Sequence, residues 1–334
     1  RDVVCWNALI SGYAQHGLCN EAWNCLKRMQ REGLSPDSVT FIGILKACGS
    51  RGAIDKGKQI HDKILSTGLL DNNIVLGNSL VDMYAKFGML ERAKEVLEGL
   101  PTRDEVSWNA LITGYSQQGQ FHESLDCFRK MQHEGIFPDS VTFICMLRAC
   151  AIGGYLKMGE KLHGEVMEQG LLQNDVLLGT ALIDMYAKCN VMEKAQEIFD
   201  ELCIRDVVTW NTLISSYAQL GDNDTVVDLF NEMQQDDILP NPVTFTILLN
   251  ACSHSGELGK GEICFQAMSM EYDIIPNMEH YTCMVDLFGR GGHVEKAIEI
   301  INKMPPADYL LVWVTLLSAC CKLGYVRLGR LAFE

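Results

Sequence analysis

The pentapeptide WNALI at Trp6–Ile10 returns at Trp108–Ile112, and again as WNTLI at Trp210–Ile214, each time after 102 residues. Its surroundings return with it: Gly17, Gly119 and Gly221, then Met29, Met131 and Met233, then Pro36, Pro138 and Pro240. Each 102-residue unit holds three related segments of 35, 36 and 31 residues. Fixed periods of roughly 20 to 50 residues mark a solenoid, in which one unit buries its apolar face only by stacking on the next. That constraint overrides the two domains that a length of 334 residues would otherwise suggest.

The segments read as helical hairpins. Trp6, Leu9, Ile10 and Tyr13 recur at i, i+3, i+4 and i+7 and define a first helix, A. Gly17 breaks it, Asn20 is expected to cap a second helix, B, and Ala22, Leu26 and Met29 form the stripe of B. Gly33 and Pro36 then stop the hairpin. In the 36-residue segment Phe41, Ile44, Leu45 and Cys48 serve helix A, and Ile60, Ile64 and Leu65 serve helix B. In the 31-residue segment the same parts fall to Leu80, Val81, Met83 and Tyr84, then Ala93, Val96 and Leu97. Asp82 and Lys86 are placed i, i+4 on the outer side, recurring as Asp184 with Lys188 and Asp286 with Arg290. The expected fold is all-α, without strands, with A helices lining an inner groove and B helices outside. Repeats are expected at 3–37, 38–73, 74–104, 105–139, 140–175, 176–206, 207–241, 242–277 and 278–309, with 310–334 beginning a further motif. Pro305 to Tyr309 is the least regular stretch and reads as a junction within one solenoid.

Several chemistries are argued away by the repeat itself. Fourteen cysteines contain no CxxC pair, and Cys48, Cys150 and Cys252 are one helical core position seen three times, so they read as small buried hydrophobes in a reducing compartment. Gly52 to Gln59 has the Gly and Lys spacing of a phosphate loop, but Gln59 replaces the hydroxyl residue. The equivalents from Gly154 and Gly256 lose the lysine and keep the glycines, which read as turn residues. His163 with Glu165 and His293 with Glu295 match half of a zinc-deaminase signature whose PCxxC half is absent, and adjacent Cys320 and Cys321 project in different directions. No metal, cofactor or catalytic residue is expected in this stretch, and no apolar run reaches the ~18 residues of a membrane span. The chain opens on Arg1 and stops inside a motif, so it is expected to be part of a longer protein. A net charge of −15 speaks against nucleic acid until position is considered. The A helices are expected to carry only Lys46, Asp82, Lys86, Arg148, Asp184, Lys188, Asp286 and Arg290, a slight positive excess, with the acidic surplus in B helices and turns.

Over essentially its whole length the chain resembles the plant pentatricopeptide repeat proteins of the PLS type, whose repeats alternate in standard, long and short forms. The likeness rests on WNALISGY from Trp6, LKACGSRGAIDKG from Leu45, LVDMYAKFG from Leu80 and YTCMVDLFGRGG from Tyr281, in the family's order and spacing. VWVTLLSACCKLGYVRLGR from Val312 resembles the start of the extension motif that follows the last triplet. The resemblance implies a right-handed superhelix that binds single-stranded RNA in a mitochondrion or chloroplast, reading one base per repeat with two or three side chains. It further implies an address for cytidine-to-uridine editing, with a deaminase in cis beyond Glu334, or in trans, supplying the chemistry.

The candidate readers are the fifth and last residues of each repeat. The fifth residues Asn7, Asn78, Asn109, Thr180 and Asn211 pair with the last residues Asp37, Asp104, Asp139, Asp206 and Asn241. The plainer alternative makes the fifth residue a helix-start cap. Carried over from the family, Asn with Asp selects U, Thr180 with Asp206 selects G, and Asn211 with Asn241 selects C or U, giving U-n-U-U-n-G-Y. Thr246 with Asn277 weakly favours A, and Thr282 has Asp308 or Tyr309 as its partner. Ile42 and Ile144 offer no hydrogen bond, so the first two long repeats are expected to supply spacing or to bind a protein of the multiple organellar RNA editing factor type. Val4, Val75, Val106, Leu177 and Val208, the second residues, are expected either to sandwich bases or to pack between repeats. The rival readings are a protein-binding scaffold like the tetratricopeptide repeats, or RNA maturation without editing.

Overall fold

The computed structural model describes residues 2–51, 53–71, 73–304 and 310–333, and every regular element among them is helical. The chain divides into two compact units, 1–185 and 186–334. In the first, hairpins are made by α1 (Val3–Gln15) with α2 (Cys19–Arg31), α3 (Ser38–Arg51) with α4 (Ile54–Thr67), and α5 (Ile74–Lys86) with α6 (Leu90–Gly99). They continue with α7 (Glu105–Gln117) and α8 (Phe121–His133), then α9 (Ser140–Gly153) and α10 (Leu156–Glu168), before α11 (Val176–Lys188). The second unit holds α12 (Met192–Glu201), α13 (Val207–Leu220) with α14 (Asn223–Gln235), and α15 (Pro242–Ser255) with α16 (Leu258–Met270). It ends with α17 (Met278–Arg290), α18 (Val294–Asn302), α19 (Leu310–Leu323) and α20 (Val326–Phe333). The junction expected at Pro305 to Tyr309 lies outside the described residues.

Each A helix starts for a local reason. Asp2, Asp37, Asn73, Asp104, Asp139, Asp175, Asp206, Asn241 and Asn277 each stand just before one, and each side chain accepts the backbone N–H three residues on. Such a cap contributes about 1 kcal/mol. Asn20 does not cap helix B: α2 starts at Cys19 after Leu18, whose N–H donates to the Tyr13 carbonyl at 2.9 Å. Gly17, at φ +66°, lets helix A close and helix B restart at once, so the cap position falls to Leu18, which has no acceptor, where the equivalent Asp222 caps α14.

A helices stack on A helices, α1 on α3, α3 on α5, α5 on α7 and α7 on α9 in the first unit, and α13 on α15, α15 on α17 and α17 on α19 in the second. Each B helix packs on its own A helix, as α2 on α1, and touches the next, as α8 on α9. An A helix is therefore wrapped on three sides, which is why its sequence is apolar nearly all round, whereas B helices show one stripe. Trp6, Ile10, Ala22, Leu26 and Met29 are buried as expected. Leu9 and Leu65 are not. Leu9 has a stacked hairpin on one side only, while its equivalent Leu111, between α5 and α9, is fully buried. Leu65, one residue past Ile64, is turned about 100° away from the buried stripe.

Gly57, Gly159 and Gly261 are not turn residues: they lie inside α4, α10 and α16 and are buried. A Cβ on them would overlap Met83, Met185 and Leu287 on the next A helix, so glycine is what lets B helix and A helix approach. The supposed phosphate loop is thus largely the start of a helix, with Ile54 to Gln59 opening α4 and Gly52 outside the described residues. No helix is long and apolar enough to cross a membrane among the described residues. Cys48 and Cys150 are fully buried and Cys252 half-buried; burial, with Cys19 beside it, pushes the Cys48 thiol up to about 12.

The helix bounds also redistribute the charge. Glu105 and Glu279 begin α7 and α17, and Arg51 ends α3, so the nine A helices of the expected repeats carry six basic and five acidic residues. The A wall is near neutral, less positive than the sequence pattern suggested. Outside the helices, fifteen acidic residues face three basic ones among the described residues, and the caps of the A helices are a large part of that surplus.

Candidate nucleic-acid interface

With each A helix capped by the Asx before it, the fifth residue of a repeat lies more than one turn inside the helix and caps nothing. Asn7, Asn78, Asn109 and Asn211 are buried, and a buried amide needs partners. Asn7 Nδ2 donates to both carboxylate oxygens of Asp37, at 3.0 and 3.1 Å. Asn78 Nδ2 does the same to Asp104, at 3.0 and 3.2 Å. Asn109 Nδ2 donates to Asp139 at 2.9 Å, and Asn211 Nδ2 to the Asn241 carbonyl oxygen at 3.2 Å. In these four repeats the structure therefore joins the fifth residue to the last, across 26 or 30 positions.

A third residue completes the cluster, and the sequence reading missed it. The hydroxyls of Thr40, Thr142 and Thr244 donate to the amide oxygens of Asn7, Asn109 and Asn211 at 2.5, 2.6 and 2.8 Å. Each of these threonines is the third residue of the next repeat, fully buried, and its backbone N–H is the one capped. The available signal was a threonine two residues into each long repeat. Burial works to raise the Asp37 and Asp139 carboxyls, but the N–H and hydroxyl of Thr40 or Thr142 and the amide of Asn7 or Asn109 outweigh it and hold both below 3.8.

The threonine-type fifth residues behave differently. Thr180, Thr246 and Thr282 donate their hydroxyls to the carbonyls of Val176, Pro242 and Met278 in their own helices, at 2.8, 3.1 and 2.8 Å. Asp206 and Asn277 serve as caps, accepting from Thr209 N and His280 N at 2.8 and 3.2 Å. Asp308 and Tyr309, the alternatives beside Thr282, lie outside the described residues.

Beside the Asn clusters runs a row of exposed aliphatic side chains. Val4, Val75, Val106, Leu177 and Val208 are 48–72% exposed, so ordinary packing between repeats does not account for them. Val39, Val141 and Val243 hold the same second position in the long repeats and are exposed alike, so the row is not confined to the shorter repeats. In the first unit Val106 and Val141 flank a cavity of ≈ 260 Å³ that Asn78, Asn109, Asp82 and Lys86 also line. Asp82 and Lys86, paired at 2.7 Å, consequently belong to this face and not to the outer side. Ile42 and Ile144 are half-buried.

The half-signatures of metal chemistry stay apart. His163 and Glu165 lie on α10, His293 precedes α18, and Cys320 is buried where Cys321 is exposed. Among the described residues no three His, Cys, Asp or Glu side chains are grouped to hold a metal ion.

A family model described as "PPR repeat family" matches residues 1–50, 103–152 and 205–254, and one described as "PPR repeat" matches 78–104, 141–171, 180–207, 243–271, 279–305 and 311–334. This chain belongs to the pentatricopeptide repeat family. The first matches restart at the 102-residue period that WNALI marks. Two pentatricopeptide repeat-containing proteins of Arabidopsis thaliana, both named as mitochondrial, are 39% and 36% identical over 332 and 334 residues. The alignments cover 99% and 100% of this chain but 55% and 48% of those proteins, so the chain spans about half the length of the relatives it matches. Among solved structures, the pentatricopeptide repeat protein PPR10 in complex with an 18-nt psaJ RNA element superposes with a TM-score of 0.78 at 21% identity, covering 96% of this chain and 48% of that one. At that identity the likeness establishes the fold, an all-α solenoid of helical hairpins, as the repeats required.

Proposed function

We propose that this array binds single-stranded RNA along its A-helix wall, one base per pentatricopeptide repeat. The observation that carries the reading is the recurring cluster of a buried Asn amide held by the last residue of its repeat, next to exposed valines, two of which, Val106 and Val141, frame a cavity of ≈ 260 Å³. The amides of Asn7, Asn109 and Asn211 each keep one N–H and one oxygen lone pair beyond their partners, the donor and acceptor that a pyrimidine edge requires, while Asn78 Oδ1 is buried without a partner. PPR10, of the same fold, was solved with RNA, and named relatives are mitochondrial, which supports an organellar transcript as the ligand.

Within that reading the repeats are of the PLS type and 310–334 opens an extension motif. The address is U-n-U-U-n-G-Y, set by Asn7/Asp37, Asn78/Asp104, Asn109/Asp139, Thr180/Asp206 and Asn211/Asn241, and it directs cytidine-to-uridine editing. A deaminase domain or protein performs the reaction, and an editing-factor protein docks at the long repeats. Binding of a U-n-U-U-n-G-Y RNA, its complement-paired duplex, and versions with single bases exchanged tests the core of it. Single-stranded target should win on both comparisons, whereas equal affinity for duplex, or indifference to every exchange, sinks base reading and favours a protein-binding scaffold.

A further inference from the structure

The first two long repeats lack an edge-reading fifth residue, yet their exposed Val39 and Val141 continue the same aliphatic row, so a strand following that row crosses them too. One helical turn beyond the apolar fifth residue each carries a cation: Lys46 after Ile42, and Arg148 after Ile144. The i, i+4 spacing puts residue and cation on one helix face. No other repeat does this. The same position is Ser11, Thr113 and Ser215 in the 35-residue repeats and Asp82, Asp184 and Asp286 in the short ones. In the third long repeat the fifth residue is Thr246, which can face a base, and the position reads Asn250. Lys46 and Arg148 are exposed, and among the described residues neither makes a hydrogen bond or ion pair. Other cations of this wall are neutralised, Lys86 by Asp82 at 2.7 Å and Arg290 by Asp286 at 2.8 Å.

Resting on the RNA reading above, we propose that Lys46 and Arg148 are phosphate anchors: where a repeat cannot read a base edge, it grips the phosphodiester backbone instead. The base opposite Ile42 or Ile144 is stacked but unread, and the cation holds its phosphate by charge alone. Long repeats then contribute affinity without sequence, and the shorter ones contribute sequence. On a wall otherwise close to neutral, two unpaired cations dominate the electrostatic part of binding.

The test measures affinity of the whole 334-residue chain for its single-stranded target between about 50 and 200 mM salt, for the wild type, K46Q, R148Q and the double variant. Each substitution should flatten the plot of log affinity against log salt by about 0.7, so that the loss at about 50 mM exceeds the loss at about 200 mM two- to threefold, equally for the target and for every base-exchanged RNA. Neutral methylphosphonate linkages at the nucleotides facing the long repeats should weaken the wild type and leave the double variant unchanged. N250K should steepen the slope by a similar amount. An unaltered slope in the double variant, or losses that depend on base identity, overturns the anchors. If the wild type itself binds single-stranded RNA without regard to sequence, it is the base-reading model that fails, and the two failures are distinguishable.

Discussion

The indole of Trp108 donates to a carboxylate oxygen of Glu134 at 3.2 Å, twenty-six positions away, and the same carboxylate grips Arg103 at 2.8 Å. Trp6 repeats the bond to Glu32 at 3.3 Å. Trp210 does not: its equivalent acceptor is Asp236, one methylene shorter, and the buried indole nitrogen has no partner. Arg205 reaches Asp236 only at 3.7 Å.

Asp236→Glu should therefore stabilise the chain by about 1 kcal/mol, and Glu134→Asp should destabilise it by about 1–3 kcal/mol, since a buried donor is satisfied in one case and orphaned in the other. Urea unfolding midpoints decide it. Shifts of the same sign for both substitutions would show that chain length at this site is not what matters.

Exchanging Thr180 for Asn should move that register from G toward U. The fifth-position Asn would gain an amide able to donate to the repeat's last residue, as Asn78 does to Asp104. The expected change is about 1–3 kcal/mol per misread base. Paired titrations with G and U at the corresponding nucleotide measure it, and identical preferences before and after would mean that Thr180 serves only its helix.

Gly261→Ala should cost more than Gly57→Ala. The new methyl meets Leu287, branched and fully buried, in the first case, and the flexible thioether of Met83 in the second. Overpacking costs roughly 1–3 kcal/mol, against which alanine regains about 1 kcal/mol of helix propensity. A net loss at Gly261 and near-neutrality at Gly57 are expected from thermal unfolding. Equal effects would show that the shape of the facing side chain, Leu287 or Met83, does not set the cost.

Acid should weaken the A-helix starts. Asp37 and Asp139 have folded carboxyls held below 3.8. Such a group stabilises the fold above its unfolded pKa and loses that contribution as pH falls through the folded value. Stability should thus decline below about pH 4, and the double substitution to Asn should flatten that decline while keeping the cap, as Asn241 caps α15. The readout is the denaturation midpoint against pH. An acid limb unchanged in the double variant would show that other carboxylates control it.

The repeat period, the hairpins and the pairing of the fifth-position Asn7, Asn78, Asn109 and Asn211 with the last residues of their repeats were legible in the sequence because each is periodic. A residue that recurs after 102 positions with its neighbours must occupy an equivalent place, and apolar spacing of 3.6 names the buried face. The fifth residue and the Asx could be paired by position alone. Which of them capped the helix could not, because both are polar and both lie near a helix start; the backbone geometry gave the cap to the Asx and freed the amide to face it.

What tertiary structure alone decided are contacts between helices. Thr40 reaches the Asn7 amide across 33 positions. Gly57 is small for the sake of Met83, and Asp82 with Lys86 lines a cavity beside Val106 instead of facing away from it. Sequence period fixes where a side chain stands in its own repeat. What it touches depends on how the next repeat is stacked, and that rotation and offset come from the packing of side-chain volumes between A helices, which no single repeat contains.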